Sequence, residues 1–474
     1  MPDEAQDESA GDLAIVLHSH MPYVEGFGTY PFGEEWLFDA VIRSYLPVLE
    51  VARELTMTVT PVLADQLEDP DTSRRMRDFC REYRHGSAAA DLDEVPSECR
   101  SAVAAELERY EHALALIDGW GGDPLRAFRE TAESGRISLM ASAATHAVLP
   151  LLATREGLRF QIENGIRSHR RRFGWEGGFW LPECAYEPGL EHLLAEHDVS
   201  WFCVDQSRHL ADPLDALSPI RTAARQTAFA IDWNAISWLW SLEGYPSHPE
   251  FAQFAGKSWR GSRMWRIGGG AYDPEAGAAA ADEQAAVFLD SVGARLRSFR
   301  ERTNRRGLLV FAIDTELLGH WWSEGPRWLK AVIDGAAAAG VRLRKLPDAL
   351  DDDSATGVEL HESSWGEGKN LRTWDAPAVA DLVWAARRLE LRLLEGLGIG
   401  LDDPSAERAG RELLALQASD WAFLDGRRQA GDYPFTRATD HAEALLMAID
   451  SGVRTDPRMR ALAPDLSLAP LRQP

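Results

Sequence analysis

The run LAIVL, Leu13 to Leu17, stops abruptly at His18 and His20, and the same event recurs along the chain. Each time an apolar, β-branched stretch of strand length ends on a polar or ionisable residue. TMTVTPVLA (Thr56 to Ala64) leads into Asp65 and Gln66, and ISLMASAAT (Ile137 to Thr145) into His146. GGFWLP (Gly177 to Pro182) delivers Glu183, and WFCV (Trp201 to Val204) delivers Asp205. FAI precedes Asp232 and again Asp314, and VRLRKL (Val341 to Leu346) ends near Asp348. Amphipathic helical stretches, such as Leu37 to Leu55 and Glu283 to Thr303, lie between these runs. Strands alternating with helices make βαβ units and a mostly parallel sheet. These eight runs predict an α/β fold, a TIM-like (β/α) barrel that need not be complete. In such a barrel the active site sits at the C-terminal ends of the strands, where these polar residues fall.

Two regions break the rhythm. Residues from about 70 to 133 are charged and helix-forming, with no apolar strand among them, and read as a helical insertion. From Pro377 onward, LVWAARRLELRLLEGL and RELLALQASDWAFL carry helical periodicity. The expected layout is therefore a disordered acidic segment over 1–12, a catalytic barrel over 13–350 with the insertion, and a C-terminal helical domain over 351–474 that contributes to the cleft. Asp351 to Asp353 read as a solvated turn, and Ala276 to Ala286 as a loop-to-helix entry.

Of 474 residues, 50 are Lys or Arg and 75 are Asp or Glu, a net charge of −25. Such a chain repels phosphate backbones, and it carries no basic stripe, which argues against nucleic acid as a partner. The opening MPDEAQDESAGD has acids and no base, unlike a signal peptide, and no long apolar run reads as a membrane span. The four cysteines form no CxxC, which fits a cytoplasmic protein with reduced thiols. Tryptophan is the oddity: 17 residues, as many as Phe and more than the 9 Tyr.

Glu183 and Asp314 are carboxylates at two strand ends, a pair able to divide nucleophilic and acid/base work at a glycosidic bond. His18 and His20, at i and i+2, point to one side of a strand. They can bind a polar substrate or, with His146, Asp205 or Asp314, a metal. Many tryptophans, among them Trp180, Trp201, Trp238, Trp240, Trp259 and Trp322, fall near the polar strand ends. A buried indole N–H needs a partner, whereas an open indole face is a platform for a sugar ring. Trp beside acids therefore points to carbohydrate.

Seven segments in order carry a family resemblance: LHSHMPYVEG (Leu17 to Gly26), ATHAVLPLL (Ala144 to Leu152), GFWLPECAY (Gly178 to Tyr186), WSLEGYPSHPEF (Trp240 to Phe251), IDTELLGHWWSEGP (Ile313 to Pro326), ESSWGEG (Glu362 to Gly368) and ELLALQASDW (Glu412 to Trp421). They resemble the signature segments of glycoside hydrolase family 57, and within it those of the 1,4-α-glucan branching enzymes. The resemblance implies an incomplete (β/α)7 barrel with an inserted helical domain and a C-terminal α-helical domain, so one of the eight runs is surplus. It implies Glu183 as nucleophile and Asp314 as general acid/base. His18, His20, His146, Trp180, His320, Trp321 and Asp420 would bind substrate. Trp265, Trp365, Trp374 and Trp421 would be glucan platforms, and Tyr245 the tyrosine of a covering loop. No cofactor and no metal are implied, and the partner is an α-1,4-glucan such as amylose or glycogen. α-Amylase or 4-α-glucanotransferase activity on the same scaffold, and a metal-dependent hydrolase using His18 and His20, are the alternatives. Two departures stand out. The stretch from Tyr245 to Trp265 is shorter than the covering loop of branching enzymes, and Lys369 occupies the second Gly of a WGxGG pattern.

Overall fold

The first apolar run becomes strand β1, Gly11–Ser19, buried along its whole length. A strand covered on both faces needs continuous rather than alternating hydrophobicity, which is how LAIVL reads. In the computed structural model, which describes residues 9–352, 355, 358–455, 457–459 and 461–472, eight further strands follow. They are β2 (Leu55–Val59), β3 (Ile137–Ser142), β4 (Gly178–Trp180), β5 (Trp201–Val204), β6 (Ile220–Arg221), β7 (Thr227–Ala230), β8 (Leu308–Asp314) and β9 (Val341–Leu343). The sheet order is β6-β7-β5-β4-β3-β2-β1-β8. From β7 to β8 every neighbouring pair is parallel. Just beyond β7, the Asp232 N–H donates to the Val310 carbonyl of β8 at 2.8 Å, so the two ends of the parallel run approach one another. The result is an incomplete (β/α)7 barrel.

The surplus run is VRLRKL. It forms only β9, which pairs with Gly11 to Leu13 at the start of β1 and lies off the barrel path. The run TMTVTPVLA is also shorter than it reads. Pro61 has no N–H for a ladder and takes the first turn of helix Pro61–Glu68. Asp65 and Gln66 therefore sit on a helix, not at a strand end. Asp65 pairs with Arg172 at 2.8 Å, and Gln66 donates to the Pro22 carbonyl at 3.0 Å, so both are structural. The alanine-rich stretch is likewise helix rather than entry. Asp273 caps helix Pro274–Thr303, and alanine, the strongest helix former, carries it through.

At the N-terminus, residues 1–8 lie outside the described chain, but Gly11 and Asp12 are strand, contrary to a disordered segment over 1–12. Asp12 is buried and receives Arg342 at 2.6 Å and Arg344 at 3.0 Å. Asp351 is an exposed turn residue as expected, whereas Asp352 pairs with Arg344 at 2.7 Å; Asp353 lies outside the described residues. Between β2 and β3 run the helices Pro70–Phe79, Gly86–Glu94, Arg100–Gly119 and Pro124–Glu133. After the barrel come Ala380–Gly398, Asp403–Leu416, Ser419–Arg427 and Tyr433–Ser451. The start of helix Ser419–Arg427 is tied to the exit of β3, since the Ser419 N–H donates to the His146 carbonyl at 3.2 Å. Among the described residues no helix is long and apolar enough to cross a membrane.

Helix Arg155–Phe173 lies so close to β3 that a Cβ on Gly165 would stand 1.9 Å from the Ser142 carbonyl oxygen. That neighbour is backbone and cannot rotate away. Gly165→Ala is expected to lose about 1–3 kcal/mol of stability, read as a lower urea midpoint. An unchanged midpoint would show that helix and strand are not in this contact.

Candidate active site

The parallel register places His18 of β1 opposite Asp314 of β8. His20 follows one residue past β1, His146 lies in the loop after β3, and Glu183 follows Pro182 after β4. Two of these positions are held in the left-handed region, His146 at φ 59° and Glu183 at φ 60°, as is the neighbouring Cys184 at φ 47°. Non-glycine residues there carry roughly 1–3 kcal/mol of strain each, which the packing around them must offset.

Glu183 is held by two donors. The Trp365 indole N–H reaches Oε2 at 2.9 Å and the Ser419 hydroxyl reaches Oε1 at 2.8 Å. With its hydrogen spent on a carboxylate, Ser419 accepts from His146 Nδ1 at 2.9 Å. His146 Nε2 is then a lone pair and accepts from His18 Nε2 at 2.9 Å. This direction leaves His18 Nδ1 as a bare lone pair, and that atom has no partner among the described residues. An ionised Glu183 thus sets the tautomers of two histidines through one serine.

His20 is different. Its Nε2 meets Asp420 at 3.0 Å and its Nδ1 meets the Thr60 hydroxyl at 3.0 Å. Burial opposes its charge, but Asp420, Glu316 and Glu183 prevail and hold its pKa above the usual value. The rings of His20 and His146 stack at 4.0 Å, and those of His18 and His146 at 4.8 Å. One charge in such a stack suppresses others: burial, then the His20 charge, hold His18 well below the ordinary histidine range, and His146 likewise. Trp180 closes the stack against His18 at 4.8 Å.

The acids divide. Burial holds Glu183 above the usual carboxylate value, although the hydrogen bonds from Trp365 and Ser419 oppose it. Among the described residues Asp314 has no such donors; burial, then Glu316 and Glu183, drive its pKa well above the usual carboxylate range. Glu316 accepts from the His20 N–H at 3.0 Å and from the Tyr45 hydroxyl, and burial pushes it up to about 7. Of the two carboxyls, Asp314 is therefore the one that keeps its proton more strongly, and the donor-held Glu183 the one that ionises first.

Glu183, Asp314, His18, His20, His146, Trp180, Trp365 and Asp420 thus share one site. Other expected residues do not join it. Tyr245 packs against Phe288 at 6.0 Å and Trp328 at 5.8 Å, and at 4% exposure it belongs to the core. Trp374 and Trp421 are each 1% exposed, so neither offers an open platform. Trp421 donates to the Ala415 carbonyl at 2.7 Å with Arg437 over its ring, and Trp374 packs with Val148, Val379 and Ala422. Both line a cavity of about 50 Å³ that reaches Ser419. Trp265 lies half-buried against Val95 and Val103 of the inserted helical region. His320 stacks on Trp321 at 5.2 Å, and burial pushes it down to about 4. Trp321 is exposed, resting on Phe254 at 4.6 Å. Trp238, Trp240, Trp259 and Trp384 are also exposed indoles.

Sequence reasoning missed Ser419, Thr60, Glu316 and Tyr45. Ser419 lies beside Asp420 in ELLALQASDW, and Glu316 is an acid two residues past Asp314; Thr60 and Tyr45 carry no signal beyond their type. His20, His146 and Asp420 also bring potential ligand atoms within 4.8 Å of one another. His20 and His146 already spend their nitrogens on Asp420, Thr60, His18 and Ser419. Asp205, a candidate metal ligand from sequence, is instead engaged by Lys369 at 2.8 Å and by the Ser207 N–H at 3.0 Å.

The His20–Asp420 pair has a titration signature. In histidine ring NMR, His20 is expected to titrate above 6.5 and, in Asp420→Asn, to fall below it, because burial is then less opposed. A raised folded-state value stabilises the fold fully below the unfolded pKa and loses that contribution as pH rises through the folded one. The stability gap between wild type and variant should therefore be widest in mild acid. A His20 resonance indifferent to Asp420→Asn would refute the pairing.

Comparison with known proteins gives the same frame. The family model "Glycosyl hydrolase family 57" matches residues 14–335. A 1,4-α-glucan branching enzyme of Thermococcus kodakarensis is 33% identical over 494 residues, covering 91% of this chain and 72% of that protein. A Mycobacterium tuberculosis protein named "Probable 1,4-alpha-glucan branching enzyme" is 33% identical over 485 residues, covering 92% of this chain and 91% of that one. The crystal structure of the branching enzyme of this type from Pyrococcus horikoshii superposes with a TM-score of 0.90 at 30% identity, over 98% of this chain and 97% of that one. With matched strand ends, matched sequence and matched fold, the chain belongs to glycosyl hydrolase family 57.

Proposed function

We propose that this protein is a 1,4-α-glucan branching enzyme working by retaining double displacement. The observation that carries the reading is that, in one buried site, Glu183 is held by two hydrogen-bond donors while Asp314 is held by none among the described residues, with burial and neighbouring acids raising its pKa. The branching enzymes it resembles at 33% identity supply the substrate class.

In this reading Glu183 attacks the anomeric carbon of an α-1,4-linked glucose while Asp314 protonates the departing 4-oxygen. A covalent glycosyl-enzyme forms. Its formation removes the Glu183 charge, and that charge is one of the groups holding Asp314 up. Asp314 then becomes more acidic, and its conjugate base takes a proton from the 6-hydroxyl of an acceptor chain as that oxygen attacks the anomeric carbon and the bond to Glu183 breaks, freeing the carboxylate. The new bond is an α-1,6 branch. Water in the acceptor's place gives hydrolysis, so transfer needs a held sugar and excluded solvent. The exposed Trp321, at the exit of β8, is the open indole positioned to support such a chain, and the cytoplasm is the compartment such a substrate implies.

Incubation with amylose should lower iodine staining with little gain in reducing ends, and a debranching enzyme should then release short chains. Reducing ends rising in step with the loss of stain would make the protein an amylase instead. Asp314→Asn should slow turnover on amylose by about 10²–10⁴-fold. It should recover the first step on α-maltosyl fluoride, whose leaving group needs no proton, whereas Glu183→Gln should stay inactive on both. Because Asp314 is held high, wild-type activity should extend above the usual carboxylate range and fall as pH passes its pKa. An active Glu183→Gln would sink the mechanism.

A further inference from the structure

The departure Lys369 sits on the segment that reaches the nucleophile. Ser363 to Asn370 (SSWGEGKN) runs across the exits of β4 and β5. It is bridged to Tyr186 by reciprocal backbone hydrogen bonds of 2.9 and 3.0 Å between Tyr186 and Ser363. The Trp365 N–H donates to the Glu183 carbonyl at 3.0 Å, and its indole N–H to the Glu183 carboxylate at 2.9 Å. At the far end of the same strap, Lys369 turns inward. Its ammonium meets Asp205 at 2.8 Å, with side-chain exposures of 11% and 0%, and lies over the face of Trp233. Lys369 thereby joins the strap to the exit of β5 and to the helix that follows β7.

The backbone makes this choice informative. Lys369 has φ 57°, a conformation that glycine adopts freely and lysine does not. A lysine there accepts strain and gives up the freedom of its side chain, so its ion pair has to be the return. The charge is turned into Asp205 and is not free for a substrate.

We propose that Lys369 is a positioning residue: its ion pair with Asp205 fixes the strap that presents the Trp365 indole N–H to Glu183. The inference rests on reading Glu183 as the nucleophile. Without the latch the strap end loosens, Trp365 donates less well, and the ionised form of Glu183 loses one of its two supports.

The test is kinetic, with Lys369→Gly as the main variant, since glycine relieves the backbone and any loss belongs to the side chain. The expected result is a fall in kcat of between about tenfold and a hundredfold, with KM little changed. The acid limb of the kcat/KM profile should move to higher pH. Lys369→Arg should restore part of the loss. In the Trp365→Phe background, Lys369→Gly should add nothing, because the residue acts through that indole. If the buried Asp205 left behind unfolds the single variant, Lys369→Gly combined with Asp205→Asn removes both charges and should show the same acid-limb shift. A wild-type acid limb in either variant, or effects that multiply with those of Trp365→Phe, would overturn the proposal. Glu183→Gln assayed in parallel separates the failures: if it is active, the nucleophile reading falls; if it is dead while Lys369→Gly behaves as wild type, only the latch does.

Discussion

Four carboxyl groups, Glu183, Asp314, Glu316 and Asp420, converge at the strand ends, and the cation that acts on Asp314 among them is His20. Withdrawn from bulk water, so many negative charges cannot all persist beside one positive charge. Protons must be retained somewhere, and the hydrogen-bond donors decide where. Asp420 lies against His20 and Glu183 accepts from an indole and a hydroxyl, while Asp314 has neither advantage. The acid needed for glycosidic cleavage is thus a consequence of charge crowding and unequal donor supply. No separate device is required to keep it protonated.

The same economy extends to the histidines. His18, His20 and His146 stack, His18 and His146 also hydrogen-bonded, and a second charge in the stack would face both burial and repulsion. Of the three, His20 is the one favoured to take the charge, because Asp420 stands beside it. The other two are left neutral and relay the orientation of Ser419 back toward β1. Ser419 and Asp420 open a helix of the C-terminal region, so the barrel's site is completed by a segment that is not barrel. Strained backbone at His146 and Glu183 is the local sign that these side chains are held by their surroundings and not by their own preferences.

Tryptophan illustrates how a compositional signal divides in three dimensions. The excess of indoles pointed toward carbohydrate, and Trp365 does stand on the nucleophile while Trp321 stands open. Yet Trp180, Trp374 and Trp421 are buried, one against His18 and two in the packing around Ser419. Whether an indole is a platform or a wall depends on which face its neighbours leave uncovered, and no local pattern records that.

The strand-end residues of the barrel were legible because strand periodicity and parallel topology leave little choice: an apolar run buried on both faces must stop where it meets an ionisable group. Hence β1 with His18, β4 with Glu183 and β8 with Asp314 could be read directly, and ordered motifs named their family. What escaped was everything that depends on long-range closure. The helix beginning at Pro61 cut one strand short, and Tyr245 went into the core. Ser419 and Glu316 acquired roles from partners 236 and 296 positions away, and Thr60 from one 40 positions away. Linear sequence specifies which groups are available at each strand end. Their protonation, tautomers and partners follow from desolvation and hydrogen-bond geometry, which come into being only when distant segments enclose the same small volume.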